Sequence, residues 1–375
     1  MKIFFDHKIF VNQNYGGPSR YIASLVNYLN YEKDVSAKIF APFHINGYLS
    51  TLNNKKFKFG YKLPFSNNIN KYIRLKKGLM RLNDKINNHL FNKFSPDIFH
   101  TTYYDNFFFP ENKKTVLTVH DLIHEIFRKD YGFPENYFPK EKAIQRADQI
   151  ICVSNSTKKD LMRYYSVAED KITVIYHSSP FENSNNDIKE LNLKILKEKY
   201  FLYVGSRWKY KNFSKLLKAL NKNKKILNDH KLVLFGGGKI TNEEIKEIKN
   251  FNVDLDKIVH LSGDENLLKN LYKFAQFFIY PSKYEGFGIP ILESFSQNCP
   301  VICSDTSSLP EVAGDAALYF DPNDEESILE KISVITSDKK VRDNCIQKGL
   351  NRLSQFSWKK CASETINVYN KLFDR

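Results

Sequence analysis

Short apolar runs alternate along the chain with stretches whose apolar positions recur at helical spacing. In the first half, the runs at 2–5, 37–41, 97–100, 115–119 and 149–153 predict strands, and residues 20–30 place Tyr21, Ile22, Leu25, Val26 and Leu29 on one helical face. A second series begins at 201–204 and continues at 232–235, 258–261, 277–280 and 301–303. Strands that are apolar on both faces and separated by helices imply a parallel sheet covered on both sides. Ligands of such sheets gather at the carboxyl ends of the strands. Between the two series the pattern weakens over 176–199, and the polar, turn-rich stretch 178–187 reads as a linker. A last periodic stretch runs from Phe356 through Cys361, Ile366, Val368, Tyr369 and Leu372. The expected architecture is α/β, with two doubly wound, Rossmann-like parallel-sheet domains at 1–178 and 179–356 and a terminal helix at 357–375. A length of 375 residues, too great for one ordinary core, agrees with that division.

Composition narrows the class. The chain is 42% hydrophobic and 14% aromatic, enough for sizeable cores. No stretch reaches about 18 apolar residues, so no membrane span is expected. The start, Met1-Lys-Ile-Phe-Phe-Asp6, is too short and too soon charged for a signal peptide and reads as a strand. The five cysteines form no C-x2-C pair and several lie in apolar runs, which favours reduced thiols in a cytoplasmic protein. The net charge of +15 is unevenly spread: residues 51–93 hold eleven Lys or Arg and one acid, Asp84, interleaved with aromatics such as Phe59, Tyr61 and Phe91. A nucleic acid, an anionic membrane surface and a merely solvated face all suit such a patch. No nucleic-acid-binding motif accompanies it, so the inner face of the plasma membrane is the preferred partner.

The chemistry centres on Pro281-Ser-Lys-Tyr-Glu-Gly-Phe-Gly-Ile-Pro-Ile-Leu-Glu293, which follows the apolar run 277–280. Gly286 and Gly288 let backbone approach a ligand closely, and Pro290 suits the first helical turn. Strand, glycine turn and helix N-terminus together make a site for a phosphate-like anion. Glu285 and Glu293 flank the turn. As carboxylates they would avoid phosphates and accept hydrogen bonds from hydroxyl pairs, so a nucleotide sugar fits; a glutamate in the first turn of a surface helix is the plainer account. Gly205-Ser-Arg-Trp-Lys-Tyr-Lys-Asn212 follows another strand and adds three cations in five positions. Gly236-Gly-Gly238 and Ser262-Gly263-Asp264 also follow strands and suggest the floor of a nucleoside pocket. Asp254-Leu-Asp256 precedes a strand rather than ending one, which argues against a metal site.

Glu285-Gly-Phe-Gly-Ile-Pro-Ile-Leu-Glu293 resembles the Glu-x7-Glu motif of the family 4 glycosyltransferases, retaining enzymes of GT-B fold. Cys299-Pro-Val-Ile-Cys303 and the stretch 308–317 are similar to that family's next strand and loop, so the likeness extends beyond one motif. The resemblance implies two Rossmann-like domains facing a cleft, with the terminal helix crossing back to the first. It implies donor contacts at Gly286, Phe287, Gly288, Ile289, Leu292 and Glu293, and at Gly263 and Asp264. Gln13-Asn-Tyr-Gly-Gly-Pro-Ser-Arg-Tyr21 resembles the N-terminal loop facing the donor diphosphate, which adds Gly16 and Gly17, with Arg20 as a charge partner. Val119-His-Asp121 resembles the family's His-Asp pair and places His120 beside the reacting centre; a lone histidine is otherwise more often structural. Lys211 before Asn212 matches the family's basic loop. Tyr210 stands where common members have arginine, so Arg207 takes that role, with Lys209 the competitor. His100, Tyr103 and Tyr104 follow a strand and are acceptor-side candidates. Ser154, which reads first as a helix cap, is another.

The implied reaction is transfer of a hexose from a nucleotide diphosphate donor with the anomeric configuration retained. Lys211, Arg207 and the amides of the glycine turn would stabilise the leaving diphosphate without a metal or other cofactor, while Glu285 holds the hexose hydroxyls and Glu293 the ribose diol. The motifs together look most like bacterial O-antigen and capsule mannosyltransferases, which implies GDP-mannose or a related donor and a lipid-linked glycan acceptor. Other readings are a GT-B epimerase or phosphorylase, or a catalytically silent GT-B binding domain.

Overall fold

The computed structural model describes residues 1–52, 55–64, 73–104, 110, 112–181 and 191–373. The linker stretch falls largely outside them, as does part of the basic segment. The chain divides into two compact units, Met1–His177 with Ser357–Arg375, and Ser178–Phe356.

The first unit holds a seven-stranded sheet of order β3-β2-β1-β4-β5-β6-β7, formed by Lys2–Phe5 (β1), Ser36–His44 (β2), Lys58–Lys62 (β3), Ile98–Thr101 (β4), Lys114–Val119 (β5), Gln149–Cys152 (β6) and Ile172–Val174 (β7). Every pairing is parallel. Alternate residues face opposite layers, as the pleat requires. Ile3 and Phe5 join Ile22, Leu25, Val26, Trp358 and Tyr369 in one core, whereas Phe4 joins Phe40, Phe91 and Phe99 in another. The first core is closed by the helices Gly17–Leu29 and Trp358–Asn370. The second lies beneath the helix Ile73–Phe94, which is fastened to β2 by side-chain amides. Asn83 bonds both the N–H and the carbonyl of Phe43 at 2.9 Å, and Asn87 donates to the Phe40 carbonyl at 3.0 Å. These two asparagines satisfy β2 where its register with β3 breaks, between Phe40 and Phe43.

The second unit holds a six-stranded, all-parallel sheet of order β10-β9-β8-β11-β12-β13: Tyr200–Val204 (β8), Lys231–Phe235 (β9), Ile258–Leu261 (β10), Phe278–Tyr280 (β11), Val301–Ser304 (β12) and Ala317–Phe320 (β13). Its core gathers Phe201, Tyr203, Leu232, Leu234, Ile279 and Ile302 against Leu216, Leu220, Ile328 and Ile332 of flanking helices. In each unit the strand order reverses between adjacent central strands, β1 and β4 or β8 and β11, which is where ligands bind in such sheets. All five cysteines are buried as free thiols. No helix among the described residues is long and apolar enough to cross a membrane.

Candidate active site

In the second unit, β11 ends at Tyr280 and the chain runs through 281–288 into the helix Ile289–Ser296. Gly288 is the N-cap, at φ 106° and ψ 46°. Only glycine takes that conformation cheaply, and without a side chain it leaves the first turn of the helix uncapped from within. The loop is braced from the segment after β12. The Glu285 N–H donates to Ser307 Oγ at 2.9 Å, and the buried Ser308 hydroxyl lies 2.8 Å from the carbonyls of Glu285 and of Phe287.

The basic loop packs beside this turn. After β8, Lys209–Lys211 forms a short 3₁₀ turn that ends at Asn212 in the left-handed region, φ 62°. The Asn212 amide donates to the Pro322 carbonyl at 2.7 Å, and the Lys283 N–H to the Tyr210 carbonyl at 2.8 Å. These ties place the Lys211 ammonium 2.6 Å from Glu285 Oε1 and 3.4 Å from the Tyr280 hydroxyl. The ring centres of Tyr210 and Tyr280 lie 5.3 and 5.4 Å from the nitrogen. The two charged side chains are 13% and 10% exposed, so the pair is shielded but reachable. Glu293 is buried, and its Oε2 accepts from the Tyr272 hydroxyl at 3.1 Å.

Several site expectations need correction. Arg207 does not present its charge to a ligand. Its Nε and Nη2 bind the Glu244 carboxylate at 2.7 and 3.2 Å, Nη2 lies also 2.9 and 3.2 Å from the carbonyls of Gly238 and Lys239, and Nη1 donates to that of Gly236 at 3.3 Å. With 1% of its side chain exposed, the guanidinium instead ties the basic loop to the glycine loop. That loop packs so closely that a Cβ on Gly237 would lie 2.4 Å from the Gly205 carbonyl oxygen. Glu244 also completes the capping box of the helix Asn242–Asn250 with Thr241; that spacing was readable as a cap, but nothing in it announced the arginine. Phe287 and Leu292 are buried at 4% and 0% exposure, so their side chains support the turn from within rather than line it. Gly263 and Asp264 are exposed, and Asp264 caps its own helix by accepting from the Leu267 N–H at 2.9 Å. Ile289 is half-buried at the start of its helix. Asp254 accepts from the Asp256 N–H in the turn that precedes β10.

In the first unit, Gly16 and Gly17 open the helix Gly17–Leu29, with Pro18 in its first turn. Arg20 lies over the Tyr48 ring at 5.4 Å. His120 directly follows β5, its ring edge-on to Tyr21 at 5.2 Å. Burial lowers its pKa to about 4, so it is neutral at neutral pH. His100 is not an acceptor contact. It is fully buried, with Nδ1 2.7 Å from the Tyr369 hydroxyl and Nε2 2.9 Å from Thr118 Oγ1, which joins the terminal helix to β4 and β5. Tyr104 is also structural: 7% exposed, its hydroxyl accepts the His120 N–H at 2.9 Å. Tyr103 packs against Tyr104, ring centres 4.8 Å apart. Ser154 caps the helix Asn155–Tyr165. Behind His120 stands a buried pair that the sequence did not reveal, Lys140 with Glu125, at 2.8 Å.

The chain matches two family models, "Glycosyltransferase Family 4" over residues 15–178 and "Glycosyl transferases group 1" over residues 184–352. It is 32% identical over 287 residues to the O-antigen chain mannosyltransferase B of Escherichia coli, covering 71% of this chain and 73% of that relative. The chain belongs to the family 4 glycosyltransferases. It is 33% identical over 238 residues to the O-antigen chain mannosyltransferase RfbU of Salmonella typhimurium, covering 58% and 63% of the two chains. In fold, this glycosyltransferase superposes on a sucrose-phosphate synthase from Thermosynechococcus elongatus with a TM-score of 0.77 at 18% identity, over 100% of this chain and 99% of that one. Its two parallel-sheet Rossmann-like units are those of the GT-B class.

Proposed function

We propose that this glycosyltransferase transfers mannose or a related hexose from a GDP-linked donor, with retention of configuration, to a lipid-linked glycan in bacterial surface-polysaccharide assembly. The observation that carries the reading is the Lys211–Glu285 pair on the Gly288-capped turn, one cation and one carboxylate side by side at the end of β11. The ammonium and the amides of the uncapped helix start suit a diphosphate. The Glu285 carboxylate suits the hydroxyls of the transferred sugar, and Glu293 those of the ribose. As the glycosidic bond breaks, negative charge builds on the departing diphosphate, and preorganised donors at that point lower the barrier. A protein cation in this position removes the need for a metal. The names of the two O-antigen mannosyltransferases support the choice of sugar and pathway.

The test is direct. The protein, with EDTA present, is incubated with radiolabelled GDP-mannose or with UDP-glucose and UDP-N-acetylgalactosamine, and with bacterial lipid-linked glycan. Label should enter the lipid fraction from GDP-mannose alone, and proton NMR of the product should show the donor's α-anomer. Incorporation only from a UDP-sugar, or only after a divalent cation is added, would overturn the corresponding part of the proposal.

The acceptor reading goes with a membrane-facing surface on the first unit. On β3 and the helix Ile73–Phe94, Tyr61, Leu75 and Leu82 are 72%, 58% and 46% exposed, and Lys62, Lys77, Arg81 and Lys85 are exposed with them. Apolar side chains set among cations suit the interface of an anionic bilayer. Reversing Arg81 and Lys85 to glutamate should weaken cosedimentation with phosphatidylglycerol vesicles about tenfold or more, at about 1 kcal/mol per basic residue removed. Equal binding of the protein to phosphatidylcholine vesicles would remove this surface from the proposal.

A further inference from the structure

The proposed function gives Lys211 and Glu285 to two parts of one donor, phosphate and sugar. The structure shows them holding each other at 2.6 Å, each with little exposure. A phosphate that binds Lys211 competes with Glu285 for the ammonium, and any shift of the nitrogen toward it leaves a shielded carboxylate with a weakened counter-ion. A free nucleoside diphosphate supplies only one half of that exchange. A nucleotide sugar supplies both, phosphate oxygens for the ammonium and hydroxyl donors for the carboxylate. The loop itself does not depend on the pair, because Ser307 and Ser308 hold it through the Glu285 main chain.

Resting on that reading, we propose that the Lys211–Glu285 pair is a selectivity latch: it opens for an intact nucleotide sugar and disfavours the nucleoside diphosphate alone. The same pair favours product release, since transfer removes the hydroxyls and re-formation of the pair displaces the leaving group. Glu285 thus tunes phosphate affinity through Lys211, besides contacting sugar.

Isothermal titration of GDP, GDP-mannose, UDP and UDP-glucose onto the full chain tests this with four proteins: wild type, Glu285→Gln, Lys211→Met and the double variant. The wild type should bind its nucleotide sugar more tightly than the matching diphosphate. Glu285→Gln should bind the diphosphate about fivefold more tightly, the equivalent of a partly shielded ion pair, and should lose the preference for the sugar form. In the Lys211→Met background the same substitution should give no gain. Unchanged or weaker diphosphate binding by Glu285→Gln overturns the latch and leaves the proposed function standing. A gain that persists without Lys211 also overturns it, because simple repulsion between Glu285 and phosphate then suffices. Binding of no nucleotide by the wild type overturns both. Glu285→Ala, with folding checked by circular dichroism, repeats the measurement should the glutamine amide still hold Lys211.

Discussion

Lys211→Ala should lower kcat/KM for sugar transfer about a hundredfold or more, the loss seen when one preorganised donor to a developing oxyanion is removed. The expectation is large because nothing nearby in the basic loop is placed to substitute. Arg207 is spent on Glu244 and three carbonyls, and Lys209 is exposed at the far end of the same 3₁₀ turn. Lys211→Arg should not recover full activity. The ammonium is a compact charge between the Tyr210 and Tyr280 rings, and a planar guanidinium needs a different geometry. Initial rates with labelled nucleotide sugar, measured on variants of unchanged circular dichroism, give the answer. A loss below about tenfold, roughly 1.4 kcal/mol, would move the phosphate role to Lys209 or to the backbone alone.

The interior of both sheets was legible in the sequence because a central parallel strand is apolar on both faces. β1, β5, β6, β8, β9, β11 and β12 are such strands, buried along most of their length. The strands that were not foreseen, β3, β7 and β13, all lie at sheet edges. β3, Lys-Phe-Gly-Tyr-Lys, has no fully buried residue, and edge strands keep charge and brevity as protection against pairing. Around the candidate site, the strand, glycine turn and helix N-terminus of 277–296 and the cations after β8 were legible because those features are local in sequence. What failed was partnership. Arg207 meets Glu244 thirty-seven residues away, and His100 meets Tyr369 at a separation of 269. Spacing along the chain carries no signal for contacts made by the fold, and a polar residue at a strand end can as easily stitch two elements as greet a ligand.

The Lys140–Glu125 pair is the extreme case, and its loss should be the most damaging to stability. Lys140→Met should destabilise the first unit by about 3–5 kcal/mol, because it leaves a buried carboxylate without its cation. Both side chains are fully buried, with Nζ 3.0 and 2.8 Å from the two carboxylate oxygens, and the Tyr165 hydroxyl donates to the same group. The ammonium also lies 4.8 Å from the Tyr104 ring centre, and Tyr104 holds the His120 N–H. Two links therefore connect a buried cation to the backbone of His120. Glu125 sits in the short helix Ile123–Ile126 that follows it. Of the two tryptophans, Trp358 packs in the first unit's core, so urea unfolding followed by fluorescence in a Trp208→Phe background reports on that unit. Adding Glu125→Gln to Lys140→Met should recover most of the loss, since the unpaired charge, rather than the missing attraction, is what costs. A single-variant loss under about 1 kcal/mol would mean that water reaches the pair, as at a surface salt bridge, and that the His120 loop is held by Tyr104 alone.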